Sequence, residues 1–440
     1  MNDELISGST ALGRAGLDAT GNGATGNGAT GPAAGVLGRT PEADAETETE
    51  TESSVDLGTK LGDIAADAGL RSIEIVAWRD LDHPEAGGSE IHAARIAERW
   101  AAAGIDVALL ASRAPGANRR FSKDGYQVRR PAGRYSIFPV VGASALARRG
   151  SRPDGTIEVW NGMPFFSPAW AAHPRVVFLH HVHDGMWDLV LPSPLAAIGK
   201  LIERRLAPRL YRTTPVVTLS ESSRRAILEL LGLTPSQVSV VAPGVDDRFS
   251  RGGKRDADPL LLAVGRLVPY KRFDLLVETL VRIHERHPNV GAVIAGEGSE
   301  RPALEALIAS HQAQEWLHLP GRVDDERLVD LYRRAWVLMS TSAYEGWGLT
   351  ISEAAGCATP AVASPIAGHV DAIEDGMSGF LAEPGPAMED AVSAILSNQI
   401  VRRRLQRGAF ERSQLLTWDK TALETLRVLA ADAAPPGADV

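Results

Sequence analysis

The chain has 440 residues and a formal net charge of −9, and residues 1–70, with 12 Asp/Glu against 3 Lys/Arg, carry that whole deficit. The other 370 residues balance at 43 of each sign, which excludes a generally basic nucleic-acid-binding body. A single cysteine, Cys357, excludes an intrachain disulfide and fits a reducing cytosol, and no apolar run nears the roughly 18 residues of a membrane span.

Residues 1–70 contain 13 glycines and no aromatic residue, with GNGAT repeated at 21–30 and alternating Glu and Thr at 46–52. Such a tail cannot bury enough surface to offset its ordering entropy, so disorder is expected. Asp3 and Glu4 stand where a signal peptide would be basic, and secretion is not expected.

Order is expected from Ser72. The apolar run 73–78 reads as a strand, and the loop "RDLDHPEAGGSE" separates it from an amphipathic helix at 91–104. Further strands are expected at 106–111, 156–161, 175–180, 215–220 and 238–243, with helical stretches between them. After a polar loop at 243–259 the alternation restarts with strands at 260–265, 290–296, 316–321, 336–341 and 360–364. Short apolar strands alternating with helices indicate parallel βαβ units. Two successive doubly wound domains would turn two C-terminal sheet edges into one cleft. From 398 to 433 the chain reads as helical, anchored by Trp418 and stopped by Pro435-Pro436. Cys357, among small apolar neighbours, reads as a packed thiol rather than a nucleophile.

The densest chemical signal is "STSAYEGWGLTISEAAG" at 340–356. A strand, a glycine-bearing loop and a helix starting near Thr350 or Ser352 would aim main-chain N–H groups into the cleft, a ready site for phosphate. Glu345 and Glu353 flank that loop and could grip two ends of one polar ligand. Arg266 follows a strand and Lys271 precedes a helix, a placement suited to a diphosphate leaving group. Taken alone, each is better explained blandly: Glu345 as a surface acid, Glu353 as an acid favoured at a helix N-terminus, and Arg266 and Lys271 as solvated loop cations. Gly296-Glu297-Gly298 matches a dinucleotide fingerprint only loosely.

In this order the residues resemble the retaining glycosyltransferases of family 4, which have the GT-B fold. The resemblance runs through Gly265-Arg266, Lys271, Gly296-Glu297-Gly298, Gly321-Arg322-Val323, the Glu345/Glu353 pair, residues 358–385 and "TWDKTA" at 417–422. It implies two Rossmann-like domains facing a central cleft behind the disordered tail of 1–70. The acceptor domain would span 71–245, the donor domain 246–400, and helices at 401–433 would cross back to the first domain. It implies that Arg266 and Lys271 bind a nucleoside diphosphate, that Glu353 holds ribose hydroxyls, and that Arg322 and Val323 line the base pocket. Glu345 would hold donor-sugar hydroxyls beside the main chain of Trp347, Gly348, Leu349 and Thr350. Gly87-Gly88 resembles the family's glycine loop, where backbone approaches the diphosphate. The family also places a catalytic histidine after an N-domain strand, and "VVFLHHVHD" offers His180 or His181 for it, with His183 third, while a core histidine is an equal reading for any one of them.

The function implied is transfer of a hexose-type sugar from a nucleotide sugar to an acceptor hydroxyl, with retention and with no cofactor or essential metal. Phosphorylase or epimerase chemistry on the same fold, or a non-catalytic nucleotide-sugar binder, are the alternatives. Asp80-x-Asp82 and Asp256-x-Asp258 look like metal-binding pairs but read as solvated loop acids. The segment "IGKLIERRLAPRLYR" at 198–212 sets basic residues beside apolar ones. It could rest on an anionic membrane, although Pro208 should interrupt the helix and solvated cations on an ordinary domain helix explain it better. A cytoplasmic location, peripheral at the inner membrane face if that contact forms, is expected.

Overall fold

The computed structural model describes residues 56–148 and 152–433. The tail expectation for 1–55 and the Pro435-Pro436 stop lie outside the described residues. In the first half, helix α1 (56–67) precedes β1 (Ser72–Val76), α2 (Gly88–Ala102), β2 (Asp106–Ser112), β3 (Arg120–Lys123), β4 (Tyr126–Ala132) and α3 (Ile137–Ala147). The chain continues through β5 (Gly155–Val159), β6 (Arg175–Phe178), α4 (Met186–Val190), α5 (Ser193–Leu201), a π turn (Ile202–Leu206) and α6 (Ala207–Leu210). It closes this half with β7 (Val216–Thr218), α7 (Glu221–Leu231) and β8 (Val238–Val240). The eight strands order as β3-β4-β2-β1-β5-β6-β7-β8, parallel except for the edge hairpin β3–β4.

The second half runs β9 (Leu260–Val264), α8 (Phe273–Arg286), β10 (Gly291–Ala295), α9 (Arg301–Ser310), β11 (Leu317–Gly321), α10 (Asp325–Arg334) and β12 (Val337–Ser340). It continues with α11 (Leu349–Gly356), β13 (Ala361–Ala363), α12 (His369–Ala372), β14 (Gly379–Leu381), α13 (Pro386–Ser397), α14 (Gln399–Ser413) and α15 (Trp418–Ala433). Its parallel sheet orders β11-β10-β9-β12-β13-β14. The chain leaves β9 in one direction for β10 and returns to its other side for β12. A crevice opens where the order reverses, so the loops after β9 and β12 border it. The first sheet reverses in the same way beside β1, between β2 and β5.

Strands β1, β5, β6 and β7 are buried almost throughout, as parallel strands covered on both faces must be. Strand β4, next to the edge strand β3, instead alternates buried and exposed residues along its length. The β3–β4 hairpin escaped the periodicity reading, yet Asp124-Gly125 marks its turn, both residues having positive φ.

Residues 56–70 correct the expected tail. Leu61, Ala65 and Leu70 are buried in the first core beside Ile73 and Trp100, with Leu57, Ile64 and Ala68 packed against it. Positions 57, 61, 64, 65 and 68 form one helical stripe, and averaging composition over 70 residues concealed it. At the other end, α14 packs against α11, while α15 buries Ala422, Leu426 and Leu429 in the first core. The Trp100 indole donates to the Ala422 carbonyl at 3.1 Å, so the last helix fastens to α2. Trp418 is buried as expected of an anchor, and so is Cys357, whose thiol burial pushes up to about 11.

Pro208 does not interrupt its helix. The helical path runs from Ser193 to Leu210, and Pro208 falls in the first turn after the π turn, where an N–H is dispensable. Asp80 is not solvated either: it is buried and chelated by Arg130, with contacts of 2.6 and 2.7 Å. Asp256 pairs with Arg334 at 2.9 Å. Among the described residues no group of three or more His, Cys, Asp or Glu is arranged to hold a metal ion.

Candidate active site

The loops after β9 and β12 carry the charged half of the site. Arg266 stands two residues beyond β9, where its guanidinium donates to the Tyr270 hydroxyl at 2.7 Å. Lys271 ends a short 3-10 turn (Pro269–Lys271) and donates to Glu345 Oε1, which also accepts from Ser342 Oγ at 2.9 Å. Burial alone would raise the Glu345 carboxyl. The Lys271 ammonium, His369 and the two hydrogen bonds outweigh it and hold the group below the usual range. Glu345 is therefore an anion held between Lys271 and Ser342 on the β12 loop.

Gly348 has φ +101° and caps α11, which starts at Leu349, one residue before the expected range. A side chain at Gly348 would also press on Ile351 and His369, so glycine is needed twice over. Trp347 is buried and donates to Ser352 Oγ at 2.9 Å, which fixes the loop just ahead of the helix. One turn on, Glu353 accepts from the Tyr332 hydroxyl at 2.7 Å, and burial raises its carboxyl to about 7. Arg322 lies exposed past β11, whereas Val323 packs on the cluster that holds Ile351 and Tyr332. Gly296 and Gly298 press against the backbone of Gly265 and Leu267. These glycines let two loops touch, which explains the loose fingerprint without a dinucleotide.

Facing these loops across the cleft is the Gly87-Gly88 turn at the start of α2. A Cβ on Gly87 would lie 3.5 Å from Arg266 Nε, and one on Gly88 3.2 Å from Leu349 Cδ1. Glu90 shapes this turn, accepting from the Gly87 N–H at 2.7 Å and pairing with buried Arg79 at 3.1 Å. Gly87 followed three residues later by Glu90 is a capping-box spacing, a signal that the sequence reading passed over.

The structure separates the three candidate histidines. His180, offered equally with His181, is packed in the core rather than beside Glu345 and Lys271. Its Nε2 meets His92 Nδ1 at 3.2 Å, and both rings lie in the core near Phe178. His181 lies in the field of Glu345, Lys271 and Arg266, with a buried and unpartnered Nε2. Burial holds it at about 4, so it is a neutral imidazole at physiological pH. His183 stacks on His181 with centroids 4.6 Å apart and packs on Trp187. The alternation is that of extended chain, where neighbouring side chains point to opposite sides.

Glu203, in the π turn, is fully buried and was not singled out from sequence. It accepts the His183 and Asp184 N–H groups at 2.8 and 3.1 Å and the Trp187 indole at 2.9 Å. It thereby fixes the loop that presents His181. Gly346 packs on the His180 carbonyl, a Cβ there falling 2.5 Å from the oxygen. The two loops meet through backbone.

Two family models match the chain. "Glycosyltransferase Family 4" covers residues 86–249 and "Glycosyl transferases group 1" covers 245–412. Among curated relatives, the D-inositol 3-phosphate glycosyltransferase of Kribbella flavida is 32% identical over 54% of this chain and 60% of its own length. That of Nocardiopsis dassonvillei is 29% identical over 81% of this chain and 92% of its own. Among solved structures, sucrose-phosphate synthase of Thermosynechococcus elongatus superposes with TM-score 0.68 at 21% identity, covering 81% of this chain and 97% of that one. Anabaena HepE in complex with UDP-glucose gives 0.65 at 18% identity, covering 82% and 99%. The two sheets, their facing switch points and these matches agree that the chain belongs to the group 1 glycosyltransferases, with the GT-B fold.

Proposed function

We propose that this transferase moves a hexose-type sugar from a nucleoside-diphosphate sugar to an acceptor hydroxyl, with retention and without a metal. One observation carries the reading: Arg266, Lys271, the α11 N-terminus, Glu345 and neutral His181 converge opposite the side-chain-free Gly87-Gly88 turn. Arg266 and Lys271 neutralise the departing diphosphate, and the first N–H groups of α11 add to that field. Glu353 takes ribose hydroxyls, with Val323 beside the base and Arg322 at its rim. Glu345, kept anionic by Lys271, accepts hydroxyl hydrogen bonds from the sugar. His181 offers its free Nε2 on the opposite side.

Retention could proceed by double displacement through a carboxylate nucleophile. Glu345 is already committed to Lys271 and Ser342, which favours same-face attack through an oxocarbenium-like state. The leaving diphosphate then accepts the acceptor proton. The HepE structure, solved in complex with UDP-glucose, supports a nucleotide-sugar donor for a chain of this fold.

The test is thermal stabilisation by UDP-, GDP- and ADP-sugars. Saturating ligand at a hundredfold excess over Kd adds about 2.7 kcal/mol. A shift with one base series that is lost in Arg266→Ala supports the reading, and turnover that needs inorganic phosphate rather than an alcohol overturns transfer.

A further inference from the structure

The helical path from α4 to α6 is turned inside out. On a domain helix the large apolar side chains face the core. Here the inward positions are Ala196, Gly199, Glu203, Ala207 and Tyr211, all buried. Gly199 is pressed so closely on Trp187 that a Cβ would lie 2.8 Å from the indole. The outward positions are Leu195, Ile198, Leu201, Leu206 and Leu210, joined by Leu189 and Val190 from α4, each 42–53% exposed.

The π turn keeps this stripe together. Leu201 and Leu206 are five residues apart, a step that displaces a side chain by about 140° around an α-helix. One i→i+5 turn brings most of that displacement back. Basic residues border the stripe. Lys200 and Arg204 pair with Asp188 and Asp184, while Arg205, Arg209 and Arg212 are exposed and have no acidic partner among the described residues.

We propose that α4, α5, the π turn and α6 form a docking surface for an anionic lipid bilayer. The leucines and Ile198 enter the headgroup boundary, and the unpaired arginines meet lipid phosphates. A second copy of the chain fits this face poorly, because a twofold contact would bring the same arginines against each other. The surface also adjoins the cleft: α4 packs beside Pro269–Lys271, and Gly185 abuts Tyr344. Glu203 ties the π turn to the His181 loop. An acceptor held at the bilayer would thus meet the cleft mouth; only this consequence rests on the transferase reading.

Flotation of the full chain with vesicles tests the docking. Mixed phosphatidylcholine/phosphatidylglycerol vesicles are expected to carry the protein, less so as salt rises, and phosphatidylcholine alone is not. The Arg205→Ala/Arg209→Ala pair should lower partitioning about 25-fold, at about fivefold per arginine, and Ile198→Glu/Leu201→Glu should abolish it. Unchanged melting temperature and donor-induced shift would show that both variants keep their fold and donor site. Because the arginine pair is exposed, it remains informative even if the glutamate pair misfolds. Flotation with neither vesicle, equal salt-insensitive flotation with both, or self-association removed by Ile198→Glu/Leu201→Glu would each overturn the proposal. Failure of the donor shift with flotation intact would overturn the transferase reading instead.

Discussion

The two edges of the cleft are built on opposite plans. The C-terminal edge presents charge: Arg266, Lys271 and Glu345 converge on loops beside β9 and β12, where the sheet order reverses. The N-terminal edge keeps its charges paired, Glu85 with Arg134 and Asp184 with Arg204. It offers the bare Gly87-Gly88 turn and a neutral His181, while Glu90 and Glu203 are buried behind the loops and hold them from within. One edge is suited to bind a charged donor and the other to place neutral atoms. Losses at the first should therefore appear in binding and rate, and losses behind the second in stability as well.

The largest effect is expected at Lys271. Lys271→Ala frees Glu345 from its counter-ion and removes the proposed diphosphate contact, and turnover should fall about 10²–10³-fold. Near-native turnover in steady-state assays would break the proposed division between the edges. Glu203→Ala comes next, because it strands the buried His183 N–H, the half-buried Asp184 N–H and an indole. Urea unfolding should show a loss of about 3 kcal/mol or more, and Glu203→Gln should restore part of it.

The histidines sharpen the comparison within one loop. His181→Ala is expected to lower kcat about tenfold to a hundredfold while leaving the melting temperature nearly unchanged. His180→Ala should do the reverse, opening a cavity beside His92 and Phe178 at a cost of about 2–3 kcal/mol. Equal kinetic losses in both would mean that the loop, not one ring, matters.

The smallest effect concerns pH. Glu353 is raised to about 7 in the fold, above its ordinary carboxyl value, so its protonated form favours folding. That contribution is complete below about pH 4.5 and is lost as pH rises through about 7. Glu353→Gln should flatten the stability profile across that window, which melting curves at several pH values would detect.

The two edges also differed in how well they could be read. Arg266, Lys271, Glu345 and Glu353 were legible because each follows a strand end or opens a helix within a short segment, so chain order carried the geometry. On the N-terminal edge the ambiguity between His180 and His181 could not be resolved by order alone. Which ring faces the cleft depends on the local twist of three residues after β6 and on His92 from another helix. The same limit applied to the tail. Residues 56–70 carry an apolar stripe, but only contact with Trp100 and Ile73 gives it a surface to bury. For 198–212, the sequence contains both apolar and basic residues without saying which face is inward.

From the sequence alone followed the α/β alternation, the two-sheet plan and the charged loops beside β9 and β12, and the resemblance of its motifs pointed to the glycosyltransferase family. The alternation and the loop charges depend on local periodicity, strand ends and chain order. Tertiary structure alone decided that His181 lies in the field of Glu345 and Lys271 while His180 packs on His92, that Glu90 and Glu203 are internal braces, and that the leucines of α5 and α6 point outward. Each of those depends on what lies across from a side chain. Burial and partner are properties of the packed chain rather than of any segment within it.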